Sequence, residues 1–158
     1  YNEPKNAQLM GHTAVLAPAD VIEHYADMAD QGAHQFLLFA GGALAGDADL
    51  RGIEDGAAEF AFMIGAPASQ GKGLGTRFAT MIYAFAFDQL QLHHVYASVV
   101  PENVASKRVF EKLGCTVDGG AAARDYADEP GDLVLSIDRE TFHRINAAAL
   151  AHIRTSNL

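Results

Sequence analysis

The segment QGKGLGT at residues 70–76 is the strongest constraint that this sequence places on its fold. It puts three glycines and a lysine after an apolar run and directly before a long helical pattern. Glycine lets the main chain turn sharply and come close to a ligand. The first turn of a helix has unpaired N–H groups and the positive end of the helix dipole. The segment therefore predicts a strand–loop–helix unit whose loop binds an anion.

Three segments joined by short turns stand before this loop, and each predicts a strand: the apolar run 34–42, the more polar 43–56, and 57–65. Short turns between consecutive strands require an antiparallel meander. In the third run, large apolar residues alternate with a second set, which is typical of a strand with two different faces: Phe60, Phe62 and Ile64 against Glu59, Ala61 and Met63. Helical spacing of apolar residues over 16–31 predicts a helix before the meander.

Helices and strands alternate after the loop, in the order helix 73–90, strand 93–100, helix 104–113, strands 115–119 and 132–138 around a polar loop, and helix 139–154. A strand–helix–strand order implies a right-handed crossover to a parallel neighbour. We therefore expect one α+β domain over residues 1–158. Its sheet is mixed and mostly antiparallel, with about six strands and a central parallel pair, and helices flank it.

Composition narrows the classes of partner. Twenty acidic residues against eleven basic ones give a net charge of −9, which argues against a nucleic-acid binder and favours a cationic partner. No apolar stretch approaches the ~18 residues of a membrane span, and no signal peptide is recognisable. A single cysteine, Cys115, excludes an internal disulfide and fits a reducing compartment. We expect a cytoplasmic chain that does not bind membranes.

The same sequence excludes several kinds of site. The histidines form no metal-binding pattern, because His93 and His94 are adjacent and would point to opposite faces of a strand, so we expect no metal. The loop is not a Walker A loop, since five residues separate Gly65 from Gly71 instead of four. It is not the dinucleotide-binding pattern either, since Thr76 stands where the last glycine belongs.

The pattern Gln-x-x-Gly-x-Gly, at Gln70, Gly73 and Gly75, resembles the acyl-CoA pyrophosphate loop of the GNAT superfamily of N-acetyltransferases. NVASKRVFEKLGC at 103–115 is similar to the second motif of that superfamily. AAEFAFMIG and GDLVLSIDRETF resemble segments of its RimJ/RimL-like branch, over about residues 16–142. The usual first strand and first helix should precede the helix at 16–31, where fifteen residues show no pattern. We therefore expect either a fragment or a chain in which that unit is absent or replaced.

The resemblance implies acetyl-CoA as co-substrate and direct transfer of the acetyl group to a primary amine, of a protein N terminus or of a small molecule. The acidic composition favours a cationic acceptor. The donor would lie between strands 57–65 and 93–100, which must diverge to admit it. The residues expected to bind the donor are Met63, Ile64, Gly65, Gln70, Gly71, Lys72, Gly73, Leu74, Gly75, Thr76, Asn103 and Phe110.

Two residues are candidates for catalysis. Glu59 is the carboxylate of an otherwise apolar strand, and the resemblance implies that it is the general base. The alternative is a glutamate on the solvent face of the strand, salt-bridged or free. Many members use a tyrosine to protonate the thiolate, but Phe110 stands at that position here. The resemblance then implies Ser106 as the donor, and the alternative is a serine bonded to the carbonyl of residue i−4. Tyr96 and Ser98 are weaker substitutes.

A second function stays open at this point. Phe110 and the missing N-terminal unit also fit a non-catalytic acyl-CoA-binding or sensing module. Such a module binds CoA without turnover and is indifferent to Glu59→Gln, whereas an enzyme loses most of its rate. Homodimers are common in the superfamily, and no stretch of this chain demonstrates one.

Overall fold

The computed structural model of the protein describes residues 1–10 and 14–154. Its strands are β1 (His34–Ala40), β2 (Ala43–Glu54), β3 (Ala57–Met63), β4 (His94–Val99), β5 (Thr116–Val117) and β6 (Leu133–Asp138). Its helices are α1 (Pro4–Leu9), α2 (Pro18–Asp30), α3 (Leu74–Asp88), α4 (Val104–Leu113), α5 (Ala121–Arg124) and α6 (Arg139–Leu150). Within these described residues, no helix combines the length and the apolar character that crossing a membrane requires.

The strands form one six-stranded sheet in the order β1-β2-β3-β4-β6-β5. Neighbouring strands are antiparallel except β3 and β4, which are parallel and lie at the centre. The parallel pair follows from the crossover through α3, which returns the chain to the same edge of the sheet before β4 begins. The prediction of a mixed, mostly antiparallel sheet with a central parallel pair is confirmed.

The main core lies on the face of the sheet that packs against α3, α4 and α6. Phe60 and Tyr83 are at most 1% exposed, and their ring centroids are 5.1 Å apart in an edge-on arrangement. Glu59 lies on the other face of β3, as its alternation with Phe60 predicted. Opposite Glu59 across the β2–β3 ladder stands Arg51, so charged side chains share this second face.

The structure differs from the predicted elements mainly at both ends of the chain. The first fifteen residues were expected to show no pattern, but they contain α1, whose first turn is capped by the Glu3 carboxylate on the Asn6 N–H. The described residues before β1 hold two helices and no strand. The helix predicted over 139–154 ends at Leu150, because the next backbone bonds tighten to i−3. The strand at 115–119 is only two residues long, and α5 interrupts the predicted polar loop.

A bulge in β2 brings Gly46 against the end of β3. The register with β1 shifts between Leu38 and Phe39, so that Ala45 has no direct partner. A Cβ on Gly46 would lie 2.1 Å from the Met63 carbonyl oxygen and 3.2 Å from the Ile64 Cα. Both atoms belong to the main chain, which cannot move aside as a flexible side chain can. Only glycine allows this approach of the two strands.

We therefore expect Gly46→Ala to destabilise the protein by about 1–3 kcal/mol, as overpacking in a closed site does. Thermal unfolding followed by circular dichroism would measure the loss as a lower midpoint. Gly119→Ala is the matched control, because nothing lies within 4 Å of its Cβ position. Equal midpoints for the two variants would contradict the close contact between β2 and β3.

Candidate active site

The parallel pair of strands separates halfway along its length. β3 and β4 are paired only through Ala57–His94, Ala58–Val95 and Glu59–Tyr96, although β3 continues to Met63 and β4 to Val99. The carboxyl ends of parallel strands meet at one edge of a sheet, so a gap opens toward the N termini of α3 and α4. The divergence required by the predicted donor site is present.

The glycine loop lies at the same edge and leads into α3. Gly71 and Gly73 have φ angles of 71° and 75°, which favour glycine, and nothing lies within 4 Å of either Cβ position. Among the described residues, no side chain caps this helix, and its first turn has no acidic residue. The first backbone bond of the helix runs from the Arg77 N–H to the Gly73 carbonyl, at 3.2 Å. The N–H groups before Arg77 are therefore open to an anion.

Gln70 and Asn6 hold the start of the loop in place. The Gln70 side-chain amide donates to the Ile64 carbonyl at 2.9 Å and to the Asn6 Oδ1 at 3.1 Å. The Asn6 amide in turn donates to the Gly65 carbonyl at 3.0 Å, and Asn6 is 4% exposed. In this structure Gln70 therefore fixes the loop. Asn6 was missed by sequence reasoning, because no periodic pattern marks the short helix that carries it.

The main chain at the end of β3 is partly occupied by contacts within the protein. The Gly65 N–H donates to the Ala45 carbonyl at 3.0 Å, and the carbonyls of Ile64 and Gly65 accept the amides just described. The Met63 carbonyl faces Gly46 of β2. Within the described part of the chain, the Ile64 N–H has no hydrogen-bond partner among these contacts. Three residues, Met63, Ile64 and Gly65, were predicted to pair with acetyl-CoA. Of these, Ile64 has an N–H group that is open to a hydrogen bond with the ligand.

The first turn of α3 packs closely against β3 and α4. A Cβ on Gly75 would lie 3.1 Å from the Phe62 ring, whose centroid is 5.7 Å from that of Phe110. Phe110 is 2% exposed, so its ring belongs to the core below the gap. The flanking predicted residues differ in exposure: Lys72 is exposed, whereas Leu74 and Thr76 are half-buried. The loop thus presents its main chain and Lys72 to solvent.

Asn103 and Ser106 form the N-terminal turn of α4. The Asn103 Oδ1 accepts from the Ser106 N–H at 3.1 Å, which confirms Asn103 as the N-cap. Among the described residues, the Ser106 hydroxyl makes no hydrogen bond to a carbonyl one turn earlier, in contrast to the Thr80 hydroxyl, which bonds the Thr76 carbonyl at 2.8 Å. Ser106 lies four residues before Phe110 and so on the same face of α4. Its hydroxyl is available.

The two weaker substitutes on β4 are engaged elsewhere. The Tyr96 ring stacks on Tyr126 with centroids 4.3 Å apart. The Ser98 hydroxyl donates to Asp132 and accepts from the Asp128 N–H, both at 3.0 Å. These contacts hold the segment after α5 against β4. The Ser98 hydroxyl is therefore occupied, whereas the contact of Tyr96 involves its ring and not its hydroxyl.

Glu59 forms a two-point ion pair with Arg51. The Arg51 Nε donates to one carboxylate oxygen at 2.9 Å and a terminal nitrogen donates to the other at 2.6 Å. The same arginine bonds Asp128 at 3.0 Å. The Glu59 side chain is 12% exposed; burial raises its pKa, while the bonds to Arg51 oppose that rise. Glu59 therefore has the ion pair that the alternative allowed for, although its side chain is largely buried.

Asp49 is the residue of this face that sequence reasoning missed. It is 8% exposed, and its Oδ1 has no hydrogen-bond partner among the described residues. A terminal nitrogen of Arg51 lies 3.8 Å from this oxygen. Burial raises the pKa of Asp49 to about 6; Arg51 opposes this, and Glu59 and other carboxylates add to it. The alternation Asp47, Asp49, Arg51 in the second strand was the signal that could have indicated a shared charged face.

A cavity of about 360 Å³ lies at one end of this face, between the N-terminal helices and the β2–β3 edge. Its lining comprises Tyr1, Tyr25, Leu37, Leu44, Ala45, Gly46, Asp47, Met63, Gly65 and Ala66. The hydroxyls of Tyr1 and Tyr25 both donate to the Asp47 carboxylate. Burial raises the pKa of both phenols, and the hydrogen bonds to Asp47 raise it further. Two aromatic rings and a carboxylate are groups that bind organic cations.

Cys115 is 4% exposed, and burial raises the pKa of its thiol to about 12. A buried thiol with a raised pKa is typical of a structural cysteine rather than a nucleophile. His93 packs over Gly56, whereas His94 lies 3.2 Å from the Ser136 hydroxyl. The two imidazoles thus occupy different surroundings, as their adjacency predicted.

The mixed sheet, with central parallel strands that diverge beside a glycine-rich helix N terminus, has the arrangement that the resemblance to the GNAT superfamily implies. The model of the family described as "Acetyltransferase (GNAT) domain" matches residues 2–116. The chain belongs to this family.

Relatives of known name share parts of the chain. The spermidine N(1)-acetyltransferase of Escherichia coli (strain K12) is 36% identical over 92 residues, which are 57% of this chain and 49% of that protein. The matched part of the chain spans 29% to 49% of the length of the curated relatives.

Solved structures share the fold at lower identity. RimJ of Mycobacterium smegmatis in complex with CoA-disulfide has a TM-score of 0.67 and 21% identity, over 82% of this chain and 68% of its own. The aminoglycoside acetyltransferase AAC(6')-Ib in complex with coenzyme A has a TM-score of 0.75 and 20% identity, over 90% and 87%. RimJ is one neighbour among several, so the fold by itself does not select the RimJ/RimL-like branch.

The position of Asp49 predicts an unusual dependence of stability on pH. A carboxyl whose pKa is raised on folding, from 3.8 to about 6, binds more protons in the folded state between these values. Its ionisation therefore lowers the free energy of unfolding as pH rises through this window. Asp49→Asn removes the charge and keeps the shape.

We expect Asp49→Asn to stabilise the protein by about 1–3 kcal/mol at pH 7.5 and to have little effect near pH 4. Urea unfolding of both proteins between pH 4 and 8 would measure the difference. Asp128→Asn, a change at an exposed carboxylate of the same cluster, is the control. A constant difference between Asp49→Asn and wild type across this range would show that Asp49 has an ordinary pKa.

Proposed function

We propose that the chain is an acetyl-CoA-dependent N-acetyltransferase that transfers an acetyl group to a primary amine. The observation that carries this proposal is the early end of the β3–β4 pairing beside the uncapped N terminus of α3. The family match and the coenzyme A complexes of the neighbours with the same fold support it. A cytoplasmic location and a homodimer stay predictions.

The donor fits the groups that this edge leaves open. The N–H groups of residues 71–76 and the Lys72 ammonium would hold its pyrophosphate. The Ile64 N–H and the unpaired inner edge of β3 would pair with the amides of its pantetheine arm, as an added strand does. When bound, acetyl-CoA supplies an acetyl group activated as a thioester. Gln70 and Asn6 keep the loop in position. Asn103 would border the donor on the side of α4, above the buried ring of Phe110.

The acceptor would approach from the charged face. Among the described residues, Asp47, Asp49 and Glu59 lie on this face with one guanidinium, that of Arg51, so the local charge attracts a cation. This supports a cationic amine, and three kinds are suggested by the sequence and the relatives: a polyamine, an aminoglycoside and a protein N terminus. We place the chain near the RimJ/RimL-like branch on its sequence motifs. Of the carboxylates, Glu59 is the base that the resemblance implies.

A non-catalytic acyl-CoA-binding module is the second candidate, and the buried ring of Phe110 at the usual tyrosine position favours it. The two functions differ in turnover. Incubation with acetyl-CoA and a panel of spermidine, kanamycin and a peptide with a free N terminus, followed by mass spectrometry, separates them. Acetylated amine supports the enzyme; CoA binding without any product supports the module.

The loop gives a direct test of donor binding. We expect acetyl-CoA at ~100 times its dissociation constant to stabilise the protein by roughly 2.7 kcal/mol, seen as a higher thermal midpoint. Gly73→Ala should weaken this binding at least tenfold, because it places a Cβ at a positive φ in the anion site. Gly32→Ala is the matched control, with a φ of 81° and nothing within 4 Å. Both variants should lose about 1 kcal/mol without ligand; equal ligand shifts would exclude the loop from the donor site.

The free hydroxyl of Ser106 gives a second test. If Ser106 protonates the leaving thiolate, Ser106→Ala lowers kcat about 10²-fold or more while acetyl-CoA binding is unchanged. Ser106→Thr keeps a hydroxyl at the same Cβ and should retain most of the rate. Steady-state kinetics with the first amine found in the panel measures both. Unchanged kcat in the alanine variant would remove Ser106 from the mechanism.

A further inference from the structure

We propose that Asp49 receives the ammonium group of the acceptor and takes up its proton. The proposal rests on the N-acetyltransferase function, and it moves the proton acceptor from Glu59 to the neighbouring strand. Four observations lead to it: the occupied oxygens of Glu59, the unpartnered oxygen of Asp49, the place of Asp49 in the sheet, and the charges around it.

The Glu59 carboxylate is already committed. Each of its oxygens accepts a bond from Arg51, at 2.6 and 2.9 Å. A proton placed on Glu59 would break one of these two bonds and weaken the pairing of a partly buried guanidinium. Two-point pairing with arginine is among the strongest ways to keep a carboxylate ionised. Glu59 is therefore suited to fix Arg51 rather than to collect a proton.

The Asp49 carboxylate is in the opposite situation. Its Oδ1 is buried and has no hydrogen-bond partner among the described residues, and the Arg51 nitrogen at 3.8 Å is too far for a bond. Nearly all buried polar side-chain atoms in folded proteins are paired, so an unpaired carboxylate oxygen calls for an explanation. A ligand with N–H groups would supply the missing donor.

Asp49 also lies at the right level of the sheet. The Arg51–Glu59 pair marks the last paired level of β3 and β4. Asp49 is two residues further toward the gap on the same face of β2, a distance of roughly 7 Å. Its partner across the ladder is Ala61, so only a short side chain stands opposite Asp49 on this face. A nitrogen bound to Asp49 therefore lies beside the gap proposed for the thioester.

The surroundings favour a cation at this point. The groups that face Asp49 are Asp47 and Arg51 on β2, Glu59 on β3, Asp128 from the segment after α5, and Tyr25 on α2. The carboxylates outnumber the single guanidinium. Burial and these carboxylates raise the pKa of Asp49 to about 6, which suits a group that must be ionised near neutral pH and still accept a proton.

In the proposed step, a proton moves from the ammonium group of the acceptor to the Asp49 carboxylate. One N–H bond of the ammonium breaks, an O–H bond forms on Asp49, and the electron pair stays on nitrogen. The neutral amine then forms its bond to the acetyl carbon as the carbon–sulfur bond breaks. The nitrogen loses a second proton and the thiolate gains one, so the products are the amide, the thiol and one proton that Asp49 returns to water.

The test is the dependence of kcat/KM on pH for three variants, with an amine that the wild type acetylates. For the wild type, we expect kcat/KM to fall as pH drops below about 6. Asp49→Asn should lower kcat/KM about 10²-fold or more and abolish this inflection, with acetyl-CoA binding intact. Glu59→Gln should keep the inflection, and so should Asp128→Asn, which removes a charge from the same cluster. An unchanged inflection in Asp49→Asn, or its loss in Glu59→Gln, would overturn the proposal.

A second measurement detects binding of the ammonium group directly and does not depend on catalytic activity. Carboxyl carbon NMR of the wild-type protein, saturated with CoA, follows the titration of Asp49 with and without 1,4-diaminobutane. Bound ammonium should lower the pKa of Asp49, whereas a response of Glu59 alone would refute its contact with the amine. If the wild type acetylates no amine, the proposed enzymatic function and this proton step fail together. The NMR titration still decides separately whether Asp49 binds an ammonium.

Discussion

The limited pairing of β3 with β4 is the constraint on which the rest of the structure depends. Each strand is held along its outer side by an antiparallel partner, β2 or β6, so the inner edges can separate without loss of the sheet. Past Glu59 and Tyr96 the inner main-chain groups face a gap at the centre of the protein. Unpaired main-chain groups are costly when they are buried, and a ligand with its own amides can satisfy them.

The two faces of the sheet have different physical tasks. The face with Phe60 and Tyr83 is closely packed and apolar, and it fixes the strands relative to α3 and α4. The face with Arg51 and Glu59 carries charges that are half-buried and not fully balanced. A buried carboxylate such as Asp49 lowers stability at neutral pH. Functional sites commonly contain such destabilising groups, because activity requires them. The apolar face supplies the stability that tolerates it.

Most of the elements could be predicted from the sequence because their periodicity is strong. Helix α4 and its cap, Asn103, were predicted at the observed residues. Helix α1 was missed, since six residues show no periodicity and a tertiary contact of Asn6 supports it. The alternation of residues in β3 predicted on which face of the strand Glu59 lies. Its ion pair with Arg51 could not be predicted, because it depends on the register of two strands, which local patterns do not fix. The burial of Asp49 depends in turn on elements distant in sequence.

The charges around Arg51 also connect the fold with the kind of acceptor. One guanidinium bonds Glu59 and Asp128 and lies near Asp49, so it serves three carboxylates and fully pairs only one of them. A second arginine would complete the balance and close the site. In the proposed complex, the ammonium group of the acceptor takes the role of that second cation and makes the hydrogen bond that Asp49 lacks. The negative charge of this cluster is then balanced only when a cationic acceptor is bound. Acetylation removes the charge of the amine, so the neutral amide loses this attraction and is released.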